Sequence, residues 1–212
     1  MHDDDTPLVL VVDDDEAMRR SLAFLLASVG LEARAYATAE DFLAAHPGGQ
    51  SGRPGCIVLD VRMPGMSGLE LQRHLAEQGC ALPVLIITGH GDVPMAVAAL
   101  KAGAVDFVQK PFNDQQLLDA IGAAIRTSRE RMAECAGRRA VLDRVASLSR
   151  RERQVLDRVL EGKPNKVIAF ELDISIKTVE VNRHAVMEKM AARSVAELAQ
   201  AVTLAGPLPR AD

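Results

Sequence analysis

The chain of 212 residues has no tryptophan and only six aromatic residues, five Phe and one Tyr. A protein that stacks single-stranded bases on aromatic platforms needs more, so that mode of nucleic-acid binding is excluded. Cysteine is equally scarce: Cys56, Cys80 and Cys135 are odd in number, far apart and without metal-ligand spacing. They offer no disulfide framework and no zinc site, and fit buried or incidental thiols in a reducing compartment. Long apolar runs are missing too. The longest stretch without an ionised side chain, Gln78 to Gly91, is 14 residues and contains a proline, whereas a membrane-spanning helix needs about 20. The N-terminus, Met1-His-Asp-Asp-Asp, is acidic and lacks the basic region of a secretory signal. The expectation is a cytoplasmic protein with no membrane segment.

What is present is the balance of a globular protein, 48% hydrophobic and 25% charged, with length for two domains. The charge is divided. Residues 1–125 carry eight Lys/Arg against 17 Asp/Glu, while residues 126–212 carry 17 against 12. An acidic front and a basic back suggest separate tasks, the back being the part to meet a polyanion.

Hydrophobic periodicity divides the chain at the same place. In the front part, short apolar runs alternate with helical patterns: Leu8–Val12 then Glu16–Val29, Glu32–Tyr36 then Ala39–His46, Cys56–Leu59 then Gly68–Glu77, Leu82–Ile87 then Val93–Ala102, Val105–Val108 then Asp114–Arg126. Five such pairs predict an α/β fold, a doubly wound five-stranded parallel sheet covered on both faces. The expected boundaries are 6–126 for this domain, 127–147 for a helical linker, and 148–206 for a small all-α domain.

In an open parallel sheet, ligands bind beyond the carboxyl ends of the strands. Those ends carry Asp13-Asp14-Asp15, Asp60, Thr88 and Lys110-Pro111. Clustered carboxylates need a cation, and hard oxygens completed by water are what Mg²⁺ takes. A carboxylate beside that ion can attack phosphorus to give an aspartyl phosphate. A hydroxyl and an ammonium then meet the phosphoryl oxygens. Each residue taken singly has an ordinary reading: Asp15 as a helix cap, Asp60 as a turn former, Thr88 as structural, Lys110 as a solvated side chain. The set carries the inference.

These motifs, Val11-Val-Asp-Asp-Asp-Glu, Leu59-Asp-Val-Arg-Met-Pro-Gly-Met-Ser-Gly, Ile87-Thr-Gly-His-Gly and Asp106-Phe-Val-Gln-Lys-Pro-Phe, resemble the receiver domain of two-component response regulators. The resemblance implies a flavodoxin/CheY-like strand order of 2-1-3-4-5. It implies Asp60 as phosphoacceptor, with Asp13, Asp14, Asp60 and the backbone carbonyl of Arg62 on Mg²⁺. Thr88 and Lys110 would contact the phosphoryl group, and Phe107 would be the aromatic switch, against its alternative as a constant core residue. A cis Lys110–Pro111 bond is expected. Arg62 and His90 occupy positions that tune phosphoryl lifetime in receivers. Val97 and Lys101 are dimerisation candidates.

The back part opens on a capping box, Ser149-Arg-Arg-Glu152, followed by Val155, Leu156, Val159 and Leu160 at helical spacing. Gly162-Lys-Pro-Asn stops and restarts the chain, Asp173-Ile174 turns it, and Ser175 caps a helix over Ile176–Met190. A last helix opens on a second capping box, Ser194-Val-Ala-Glu197. Four helices with a tight turn between the second and third predict a helix-turn-helix, its third helix sized for the major groove.

The segments Leu148-Ser-Arg-Arg-Glu-Arg-Gln-Val-Leu, Gly162-Lys-Pro-Asn-Lys-Val-Ile-Ala and Ile174-Ser-Ile-Lys-Thr-Val-Glu-Val resemble the LuxR-type DNA-binding domain. The whole chain is similar to the FixJ/StyR subfamily of response regulators. Val179, Val186 and Met190 should face the core, leaving Lys177, Glu180, Asn182, Arg183, His184 and Lys189 as polar positions open to DNA. By family position Glu180, Val181, Arg183 and His184 read base edges, Lys166 and Lys177 hold phosphates, and Thr178 is a further DNA-binding position.

The resemblance implies a sensor histidine kinase and double-stranded promoter DNA as partners, homodimerisation on phosphorylation, control of transcription through RNA polymerase, and no enzymatic activity beyond self-phosphorylation from small donors and slow self-dephosphorylation. Two rivals are a regulator whose receiver only dimerises, and a haloacid-dehalogenase-like phosphatase. The latter expects an Asp where Arg62 stands.

Overall fold

The computed structural model describes residues 6–49, 52–89 and 93–206. The chain divides into two compact units, Met1–Met132 and Ala133–Asp212.

The first unit contains β1 (Leu8–Val12), α1 (Glu16–Ser28), β2 (Glu32–Tyr36), α2 (Ala39–Ala45), β3 (Gly55–Asp60), α3 (Gly68–Glu77), β4 (Val84–Thr88), α4 (Val93–Lys101), β5 (Asp106–Gln109) and the start of α5 (Asp114–Ala146). The sheet order is β2-β1-β3-β4-β5 and every pairing is parallel. Alternation along the strands splits the core in two. Leu8, Leu10, Val12, Ile57, Leu59, Val84 and Ile86 pack with Phe42, Leu71, Leu75 and Ala99 of the second, third and fourth helices. Val9, Val11, Val58, Leu85, Ile87 and Val108 pack with Leu22, Leu26, Leu117 and Ile121 of the first and fifth.

Burial on both faces holds for β1, β3 and β4 and fails at the edges. Residues of β2 are half-buried or exposed, and β5 buries only Val108. The outer strand β2 carries Glu32, which pairs with Arg53 at 2.8 Å and Arg34 at 3.3 Å; charge on an edge discourages further strand pairing.

The fifth helix runs unbroken through the stretch expected as linker. Near its middle the buried Ser128 accepts the Gly55 N–H at 3.1 Å, and near its end Val141 and Val145 join the core of the second unit. That unit continues as α6 (Arg150–Leu160), α7 (Asn165–Leu172), α8 (Ile176–Lys189) and α9 (Val195–Ala205), around Val155, Leu156, Val159, Ile168, Val179, Val186, Met190 and Leu198. The Ser149–Glu152 capping box is complete, and the Ser175 hydroxyl caps α8. The second box is half formed. Ser194 accepts the Glu197 N–H, but the Glu197 carboxylate takes the N–H of Arg193 instead of Ser194. The cap residue is more extended there, with φ −146° against −63° at Ser149.

Gly68 opens α3 directly under the phosphoacceptor candidate. A Cβ there would lie 2.0 Å from the carbonyl oxygen of Asp60, in backbone that cannot swing aside. Gly68→Ala is therefore expected to destabilise the first unit by about 1–3 kcal/mol. Gly137→Ala, in open space within the helix, should stabilise by about 0.5–1 kcal/mol. Urea unfolding followed by circular dichroism checks both signs.

Candidate functional site

Parallel register builds the first site. Val12 pairs with Leu59, so Asp13 and Asp60 reach the carboxyl edge of the sheet side by side. Ile87 pairs with Val108 and Thr88 with Gln109, so Lys110 leaves the adjoining strand at the same edge. The backbone N–H of Lys110 donates to the Thr88 carbonyl at 2.8 Å, and the Lys110–Pro111 bond is cis.

The Lys110 ammonium donates to Asp13 Oδ2 at 2.7 Å and to Asp60 Oδ1 at 2.8 Å. Asp13 Oδ1 accepts from the Asp15 N–H at 2.9 Å, and Asp60 Oδ2 from the Arg62 N–H at 2.7 Å. Both carboxylates are buried. Burial pushes the Asp13 carboxyl up from its ordinary value; hydrogen bonds from Lys110 and Asp15 oppose this without cancelling it, and the neighbouring Asp60 adds to it. Burial also works against the Lys110 charge, but its two carboxylate partners outweigh that and hold the ammonium above its usual range.

Thr88 is buried at the end of β4. Phe107 is half-buried and packs against the cluster that contains Leu71, Leu75 and Ala99. By strand alternation Thr88 and Phe107 share that face, whereas Asp60 faces the α1/α5 side. Asp14 and Arg62 are exposed, and His90 lies outside the described residues. Asp15 caps α1, accepting from the Ala17 N–H at 2.8 Å and the Met18 N–H at 3.4 Å. Val97 and Lys101 are exposed on α4, with Leu100 beside them.

The donor chemistry suits a hard divalent cation. Three carboxylates, at Asp13, Asp14 and Asp60, stand at one edge with the Lys110 ammonium between two of them, and burial raises the Asp13 carboxyl above its ordinary value. They are not gathered as a cluster of three: among the described residues no three His, Cys, Asp or Glu side chains converge to hold a metal ion. With Lys110 bridging the buried pair, Asp14 stays in solvent. One participant lies outside the sequence motifs. Arg19 Nη1 donates to the backbone carbonyls of Asp13 at 2.7 Å and Asp14 at 2.8 Å. Its only sequence signal was a basic residue one turn beyond the Asp15 cap.

The second site is the outer face of α8. Val179, Val186 and Met190 are buried, as their spacing requires. Lys177, Thr178, Glu180, Val181 and His184 are exposed, as is Lys166 on α7. The Thr178 hydroxyl lies 2.8 Å from the Ser175 hydroxyl. Three of the polar positions expected to be open are engaged within the domain. Lys189 donates to Glu152 at 2.7 Å, Asn182 to the Thr178 carbonyl at 2.7 Å, and Arg183 to Asn165 Oδ1 at 2.9 Å. The Lys189 hydrogen bond, helped by the Ser149 cap, holds the Glu152 carboxyl below its ordinary value. These partners come from other helices or the previous turn, which periodicity along one helix does not reveal. Among the described residues no helix is long and apolar enough to cross a membrane.

Because burial raises the Asp13 pKa, the charged form costs stability above that pKa and the cost fades as pH falls through it. Asp13→Ala is expected to stabilise the first unit by about 0.5–2 kcal/mol at pH 7. The advantage should shrink on acidification, as measured by urea unfolding in metal-free buffer across pH.

Residues 9–122 match the family described as the response regulator receiver domain, and residues 146–202 the bacterial regulatory proteins of the luxR family. The transcriptional regulatory protein FixJ of Azorhizobium caulinodans is 49% identical over 204 residues, covering 96% of this chain and 95% of that one. The response regulator protein TmoT of Ectopseudomonas mendocina is 46% identical, covering 92% and 87%. The solved structure of the response regulator StyR superposes with a TM-score of 0.83 at 44% identity, covering 93% of this chain and 98% of that one. Full-length FixJ from B. japonicum gives 0.58 at 47% identity, covering 97% and 100%. With a receiver sheet carrying an Asp–Lys–Asp cluster at its edge and a LuxR-type helix-turn-helix behind it, the chain belongs to the DNA-binding response regulators of two-component systems, in the FixJ/StyR group.

Proposed function

We propose that the receiver accepts a phosphoryl group from a histidine kinase on Asp60 and that this controls dimerisation and promoter binding by the helix-turn-helix. The observation that carries the reading is the Lys110 ammonium held between the buried Asp13 and Asp60 carboxylates. An Asp60 oxygen attacks phosphorus, the P–N bond to the kinase histidine breaks, and its electron pair stays on the imidazole. Asp13, Asp14, Asp60 and the carbonyl of Arg62 would hold Mg²⁺, whose chemistry when bound is neutralisation of phosphoryl charge. Lys110, already hydrogen-bonded to the acceptor carboxylate, neutralises the arriving phosphoryl oxygens.

Thr88 moves to the phosphoryl group, and Phe107, on the same sheet face, turns inward behind it. That repacks the face made by α4, β5 and α5, where exposed Val97 and Lys101 would meet a second copy. Pairing two receivers brings two α8 helices to half-sites roughly one helical turn apart. Lys166, Lys177 and Thr178 hold phosphates; Glu180, Val181 and His184 face the bases, joined by Arg183 where it leaves Asn165. Transcription is activated through contact with RNA polymerase.

Footprint selection on random duplex DNA, with acetyl phosphate or beryllofluoride and Mg²⁺, tests the scheme. Occupancy by the native chain should rise on the order of 100-fold through simultaneous half-site engagement, and Asp60→Asn should not respond. Indifference of the native chain to both reagents would overturn the coupling.

A further inference from the structure

We infer that Arg19 is a positioning residue for the cation site, acting through the backbone of Asp13 and Asp14 to hold the Asp14 carboxylate where a divalent cation can use it. The inference rests on the proposed role of Mg²⁺ at this edge.

Arg19 stands one turn inside α1, its own N–H donating to the carbonyl of the Asp15 cap at 3.0 Å. Four acidic side chains, Asp13, Asp14, Asp15 and Glu16, lie just before it in the chain, yet Arg19 enters no ion pair among the described residues. One guanidinium nitrogen is shared instead between two successive carbonyls, at 2.7 Å from Asp13 and 2.8 Å from Asp14. Charge-assisted bonds of that length are the strong ones. Spent on carbonyl oxygens, they leave the neighbouring carboxylates free of a permanent arginine counter-ion.

The two carbonyls belong to the peptide planes that flank the Asp14 Cα. Two adjacent carbonyl dipoles turned toward one point repel each other unless a cation sits there, so the guanidinium sets both planes and with them the direction from which the Asp14 side chain extends. The contrast with Asp13 shows why this matters. Asp13 is anchored three further ways: by its N–H to the Tyr36 carbonyl at 3.2 Å, by the Asp15 N–H on Oδ1 and by Lys110 on Oδ2. Asp14 is exposed, and the Arg19 bond is its one hydrogen bond among the described residues. A ligand ordered by a single outer contact is the ligand most sensitive to losing it.

Charge and positioning make opposite predictions. A positive charge nearby repels a divalent cation, so if charge ruled, Arg19→Gln would tighten Mg²⁺ binding. If positioning rules, Arg19→Gln weakens it, by about tenfold. Isothermal titration of Mg²⁺ into the unphosphorylated full chain reads this without any phosphotransfer. Three further measurements accompany it: Asp14→Asn, the Arg19→Gln/Asp14→Asn double variant, and Arg19→Lys, which keeps the charge and a donor. A residue that acts through Asp14 gives non-additive losses, so the double variant should bind no more weakly than Asp14→Asn alone, and Arg19→Lys should fall between Arg19→Gln and the native chain. The urea midpoint of each variant in metal-free buffer reports folding, and where Arg19→Gln does not fold, Arg19→Lys with and without Asp14→Asn makes the same comparison. Unchanged or tighter binding by the Arg19 variant, or fully additive losses, would overturn the inference and leave the cation reading standing. Absence of Mg²⁺ binding by the native chain at millimolar concentration would overturn the cation reading itself.

Discussion

Two carboxylates buried at the edge of a sheet are tolerable only because an ammonium sits between them. Lys110 lies 2.7 Å from Asp13 and 2.8 Å from Asp60, and even so the Asp13 carboxyl remains raised by its loss of solvent. Such a triad is poor evidence of stabilisation, since desolvation of buried ions commonly exceeds what their attraction returns. A fold that keeps it against that cost keeps it for chemistry. The requirement reaches back through the sheet. Three strands must end level, in parallel register, for residues 13, 60 and 110 to meet, and β3 must lie between β1 and β4. Close approach of backbone is part of the same demand, with Gly55 set against the Leu8 carbonyl and Gly68 against that of Asp60, where no Cβ fits.

The same alternation that buries both sheet faces separates the two halves of the proposed switch. Asp60 projects toward the α1/α5 side, while Thr88 and Phe107 share the face packed by α3 and α4. In the proposed mechanism a phosphoryl group on Asp60 draws Thr88 at the strand ends, the one place where groups from both faces meet. Displacing Thr88 frees volume beside Phe107, which is only half-buried and so has room to exchange environments. In that mechanism a chemical event on one side of the sheet changes packing on the other without deforming the strands.

Much of this was readable from sequence because the deciding physics is local. Apolar runs located the strands to within two residues, Asp15, Ser149 and Ser175 cap their helices by the short polar side chains that mark such sites, and a period of 3.6 put Val179, Val186 and Met190 in the core. What is not legible is which partner a side chain takes, whether across space or within a turn. Run length predicts burial for the edge strands as well, because it does not report a missing neighbour. Helical spacing leaves Lys189 and Arg183 open to DNA, because nothing in α8 announces that Glu152 and Asn165 will reach them. Arg19 was passed over because its partners are backbone carbonyls, which no residue type signals.

Those captured side chains sharpen the reading of the recognition helix. With Lys189 paired and Arg183 held by Asn165, Glu180, Val181 and His184 are the exposed members of the proposed base-reading set, and Val181 is 63% exposed. An exposed valine on a recognition helix gains little from water and finds its natural partner in a thymine methyl. In the proposed DNA reading Glu180 discriminates mainly by exclusion: among phosphates a carboxylate is repelled, and only a base amino group, of cytosine or adenine, offers a donor that offsets its desolvation. In the same proposal Lys166 and Lys177, both exposed, supply the opposing attraction to the backbone, which sets affinity but not sequence. On the proposed reading the chemistry of the face divides into a cationic rim suited to any duplex and an acidic, apolar centre that would reject most of them.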